Sequence, residues 1–131
     1  MTKGEIAKQN FLKKYNCAQA VTLALHEDVG VDRELALSFA GAFGGGMRSG
    51  EVCGSVVGAL MMIGCAYPFT VEGDMNAKAR IGEKTIEFME IFKSKYGCVR
   101  CEDLKKKGCP CLELIGFSAD TAEKIIKAKQ E

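Results

Sequence analysis

Residues 16–25 read Asn16-Cys17-Ala18-Gln19-Ala20-Val21-Thr22-Leu23-Ala24-Leu25, and this stretch carries the signature of the fold class. Asn16 is a good helix N-cap, because its short side chain can accept from a free amide of the first turn. Behind it, Ala20, Val21, Ala24 and Leu25 fall at i, i+1, i+4 and i+5, the spacing of one buried helical face. The pattern predicts a helix from Cys17 to about His26.

The same period extends to both sides, and alternation of period two is nowhere sustained. Ile6, Phe11 and Leu12 among lysines predict a short first helix over Glu5 to Tyr15. Gly30 closes the second helix, and Asp32 caps a third from Arg33 to Phe43. Gly44-Gly45-Gly46, followed by Gly50, marks a loop with backbone conformations that most residues avoid. A fourth helix, about Glu51 to Ala66, is nearly all apolar and small, so it is buried on most sides. Part of that cover points to a second copy of the chain, a homodimer. Asp74 starts a long helix to about Lys95, with Ile81, Thr85, Phe88, Met89 and Phe92 on one face, and Gly97 ends it. Ser118 is read as the cap of a final helix carrying Ala122, Ile125 and Ile126. The expectation is all-α: residues 1–131 form a single compact bundle of about six helices with a cysteine-rich C-terminal segment.

Composition narrows the function classes. The chain has 131 residues, 47% hydrophobic and 27% charged, with a formal net charge of +1. A near-neutral balance gives no footprint for nucleic acid. Val52 to Ala66 is too short and too rich in glycine to span a bilayer, so no membrane partner is expected. No apolar signal segment follows Met1, and seven cysteines cannot all pair within one chain. Both point to the cytoplasm, where stable disulfides are uncommon.

The cysteines carry the chemistry. Cys98 and Cys101 form a C-x-x-C, and Cys109 and Cys111 form a C-x-C just after it. Thiolates at such density bind metal, hold iron–sulfur centres or cycle between dithiol and disulfide. Cys17, Cys53, Cys101 and Cys111 each fall at or near the start of a helical pattern. Free amides and the positive end of the helix dipole there favour thiolate over thiol. Four such starts meeting at one place would make a thiolate nest without any histidine. Cys65, among small apolar residues, reads as inert core. His26 reads as an exposed side chain, not a ligand. The glycine loop lacks the Gly-Lys-Ser/Thr ending of a phosphate loop; it reads as a way to bring backbone close to Cys53.

Three blocks then match a known pattern: Asn16-Cys17-Ala18-Gln19-Ala20-Val21, Gly41-Ala42-Phe43-Gly44-Gly45-Gly46-Met47, and Cys53-Gly54-Ser55-Val56-Val57-Gly58-Ala59. They resemble the C_GCAxxG_C_C family of redox-active proteins, over about Phe11 to Ile126. The resemblance implies a small helical domain with a redox or electron-carrier role. It places the four family cysteines on Cys17, Cys53, Cys101 and Cys111, with Cys98 and Cys109 as secondary candidates. Ser55 stands where the family has alanine.

Three functions are expected on these grounds. The first is an electron carrier with a cysteine-bound iron–sulfur cluster or a cysteine-ligated metal such as iron, serving a redox partner protein. The second is a metal-free thiol–disulfide protein, and the third a non-enzymatic module with a structural zinc site of four cysteines. No acid–base dyad, serine nucleophile or nucleotide fingerprint assigns an enzymatic reaction. No C-x-x-C-H is present, so c-type haem is not expected.

Overall fold

The computed structural model describes residues 1–129 of the chain. Four of the helices start where a short polar side chain accepts from a free amide. Thr2 accepts from the Glu5 amide and opens α1 (Lys3–Leu12). Asn16 and Gln19 form a reciprocal capping box at the head of α2 (Cys17–Leu25), a device worth about 1 kcal/mol. Asp32 caps α3 (Arg33–Ala40), and Asp74 caps α5 (Met75–Tyr96). Between them lies α4 (Gly54–Ala66), and beyond them α6 (Cys101–Lys106) and α7 (Cys111–Ala128). Gly97 ends α5 in the left-handed conformation, φ 80°.

Seven α-helices stand among the described residues, against about six expected. The difference lies in the cysteine-rich segment, which supplies α6 and the first turns of α7. The last helix begins at Cys111, not at Ser118. Leu114, Ile115, Ser118, Ala119, Ala122, Ile125 and Ile126 form one unbroken buried stripe, so Ser118 is a mid-helix core residue. Smaller shifts have local causes. Helix α1 stops at Leu12 because Lys14 takes a left-handed φ of 81°, and α4 waits for Gly54 because Cys53 is its N-cap.

Helix α2 sits at the centre, touching α1, α3, α4 and α7. Its small residues let α4 come close: a Cβ on Gly58 would stand 2.7 Å from the Ala18 carbonyl oxygen. Helices α1 and α7 are tied by the Gly4 amide, which donates to Asp120 Oδ1 at 2.7 Å. Phe88, Phe92 and Tyr96 pin α5 to the core, with Phe92 tilted against Tyr96 and Phe117 and Tyr96 edge-on to Phe117. Helix α4 packs against α2, α5 and α7 of the same chain; Val56, Ala59, Met62 and Ile63 are buried, and Val57, Leu60 and Met61 half-buried. No helix among the described residues is long and apolar enough to cross a membrane.

One β-type pairing positions the cysteines. Val52 and Arg100 form an antiparallel bridge, with the Cys53 amide donating to Val99 O at 2.8 Å and the Cys101 amide to Glu51 O at 2.6 Å. Two cysteine-bearing segments far apart in sequence are thereby locked in register.

Candidate thiol site

Four helix heads meet beside that bridge. Cys17 is the first residue of α2, Cys101 of α6 and Cys111 of α7, while Cys53 is the N-cap of α4. All four line one cavity of about 210 Å³, and Cys109 joins them as a fifth thiol. Phe11, Leu104, Leu114 and Ile115 supply its apolar wall, and Lys105 brings a positive charge to the lining. Cys53 and Cys101 are buried, Cys17 and Cys109 half-buried, and Cys111 exposed. All seven thiols are free.

The convergence has identifiable causes. Gly54 lets α4 press against the head of α2, since a Cβ there would collide with Cys17 Sγ and the Phe43 carbonyl oxygen. Residues Gly45 to Arg48 all take left-handed backbone angles, so the glycine loop winds one left-handed turn. That turn brings Gly46 against the Glu51 backbone and Cys101, whose Cβ would lie 2.9 Å from a Cβ on Gly46. The loop therefore packs against Cys101. At the rim Arg100 pairs with Glu51 at 3.5 Å and Glu102 at 3.4 Å, bracing the two bridged segments.

Burial competes with the helix ends over the protonation of these thiols. Desolvation pushes the Cys53 thiol up; contact with Ser55 and the amides of Ser55 and Val56 pulls the other way without prevailing. Cys111 is likewise pushed up by burial of its thiol, despite the exposure of the residue as a whole, and the nearby Cys17 adds to the effect. The expectation of a thiolate nest is not met at these two positions. Tyr96 is buried, and desolvation together with the Glu113 carboxylate at its hydroxyl pushes it above the ordinary tyrosine value.

The remaining sequence candidates separate. Cys98 does not line the cavity; its thiol faces the Tyr96 carbonyl at 3.8 Å. Cys109, ranked with Cys98 in the sequence, is held by its amide on Leu104 O at 3.0 Å and joins the site. Cys65 lies half-buried elsewhere. His26 is not exposed: its side chain is largely buried, with Nδ1 2.9 Å from the Val31 carbonyl oxygen. Sequence reasoning missed Ser118, whose hydroxyl reaches the site through Ser55.

The structure is thus a small helical scaffold with five thiols around one pocket. The chain belongs to the family described as "Putative redox-active protein (C_GCAxxG_C_C)", whose model matches residues 15–125. Comparison with curated proteins and with solved structures finds no match.

Proposed function

We propose that the cavity holds an iron–sulfur cluster on Cys17, Cys53, Cys101 and Cys111, and that the protein carries electrons for a partner protein. The observation that carries this reading is the gathering of five thiols on one apolar cavity of about 210 Å³. A single tetrahedral zinc, bonded to sulfur at about 2.3 Å, needs its sulfurs within about 4 Å of one another. Among the described residues no three His, Cys, Asp or Glu side chains are arranged to hold one ion. A sulfide-bridged cluster spreads its cysteine ligands further apart and fills a pocket, which suits this lining better.

When bound, such a cluster stores and releases single electrons. The chain's own residues do the rest. Phe11, Leu114 and Ile115 keep the wall apolar, and Cys53 and Cys101 form its buried floor. Cys111, exposed at the head of α7, gives the site its edge toward a partner.

The test is iron, zinc and acid-labile sulfide analysis with a visible spectrum on protein purified without oxygen. Iron, sulfide and a charge-transfer band are expected, lost in Ser variants of Cys17, Cys53, Cys101 or Cys111 and kept in Cys65→Ser and Cys98→Ser. Zinc alone would replace this reading with a structural site. A second reading, a metal-free dithiol couple, is favoured by the adjacency of the Cys17 and Cys53 thiols across Gly54. A reversible two-electron thiol couple in protein free of metal is its signature.

A further inference from the structure

The floor of the cavity continues into a chain of hydroxyls that the ligand set does not use. Ser55 lies in the first turn of α4 and Ser118 in the middle of α7, both fully buried. Ser118 Oγ donates to Ser55 Oγ at 3.2 Å, and Ser55 Oγ stands 3.0 Å from Cys53 Sγ. With its oxygen already accepting from Ser118, the Ser55 hydroxyl has its own proton to place, and Cys53 Sγ is the partner beside it.

We propose that Ser118 and Ser55 are positioning residues for Cys53, a two-hydroxyl relay that holds its sulfur as hydrogen-bond acceptor and fixes the direction in which it faces the cavity. The proposal rests on the reading of the cavity as the functional site, and it concerns this chain's side chains alone. Two buried hydroxyls donating in one direction polarise each other, so the second bond is strengthened by the first. The relay also couples α7 to the thiol at the head of α4.

The test follows alkylation of each cysteine in metal-free, reduced protein with iodoacetamide at one fixed pH, mapped by mass spectrometry. Ser55→Ala is expected to slow Cys53 by about threefold, the loss of a charge-assisted hydrogen bond being partly offset by higher intrinsic nucleophilicity. Ser118→Ala shifts Cys53 in the same direction by less, and Ser55→Thr, which restores a hydroxyl, returns the rate toward the parent value. Cys17 and Cys101 keep their rates and report that the fold is intact. An unchanged Cys53 rate in Ser55→Ala, or equal changes at Cys17, Cys53 and Cys101, overturns the relay. The outcome does not depend on iron or sulfide, so failure of the cluster reading is seen separately, in the elemental analysis.

Discussion

A Cβ on Gly54 has nowhere to go: Cys17 Sγ and the Phe43 carbonyl oxygen already fill the space. Four residues on, a Cβ on Gly58 would stand 2.7 Å from the Ala18 carbonyl oxygen, whereas one on Gly64 of the same helix would meet nothing within 4 Å. The three glycines of one helix therefore answer to different physics. Gly58→Ala is expected to cost about 1–3 kcal/mol through overpacking against backbone that cannot yield. Gly64→Ala should raise stability by about 0.5–1 kcal/mol, because it only relieves the entropy cost of glycine in a helix interior. Urea denaturation of both variants checks the pair, and equal effects would refute the distinction. At this scale the cysteines at helix starts were legible in the sequence, since N-caps and turn residues are local signals. The division between Cys98 and Cys109 was not. It depends on Lys107 Nζ bonding the Tyr96 carbonyl at 2.6 Å and on the Leu104 carbonyl holding Cys109, contacts made only when α6 folds back.

The element with the most unusual backbone is the left-handed turn at Gly45 to Arg48. Glycine suits two of its positions, but Met47 and Arg48 adopt φ of 57° and 53° with side chains attached. An L-residue in that region carries a penalty of about 1 kcal/mol that glycine escapes. Met47 is 37% exposed, so the packing lost with its side chain is set against that gain. Met47→Gly is therefore expected to leave stability unchanged or raise it by up to about 1 kcal/mol, read from the denaturation midpoint. A loss of more than about 1 kcal/mol would mean that the methionine packs against something of consequence. The caps Asn16, Asp32 and Asp74 and the stop at Gly97 could all be read from the chain, because each acts on its own helix. The glycines announced the loop, yet not its handedness at Met47 and Arg48. Ser118 shows the opposite failure: serine ahead of an apolar stretch reads locally as a cap, and only the stripe continuing back to Leu114 reveals a core residue. Its hydroxyl is accommodated there because Ser55 accepts its bond.

On the scale of the whole molecule, burial of ionisable groups sets a direction for stability with pH. Cys53 and Cys65 are pushed above the ordinary thiol value of 9.0, and Tyr96 above the ordinary tyrosine value of 10.0, each chiefly by desolvation. Folding thus keeps protons that the unfolded chain releases once pH passes these ordinary values. Above about pH 9 the folded state binds more protons than the unfolded one, so its stability falls as pH rises. Urea midpoints of the metal-free protein should hold steady near neutrality and decline above that point, less steeply in Tyr96→Phe. A midpoint that rises with alkalinity would contradict the burial of these groups. The fold class was legible throughout because helical period is a short-range property; the shared cavity was not, because it is made by tertiary approach of α2, α4, α6 and α7. That approach gives the site a topological character. Cys17, Cys53, Cys101 and Cys111 punctuate most of the chain, so anything bridging them would cinch three successive loops, as a drawstring closes a bag. Cross-links that shut long loops act mainly by removing freedom from the unfolded chain. The occupant of this cavity would thus be a fastener for the entire polypeptide, and its departure would be felt as slack in every segment between the thiols.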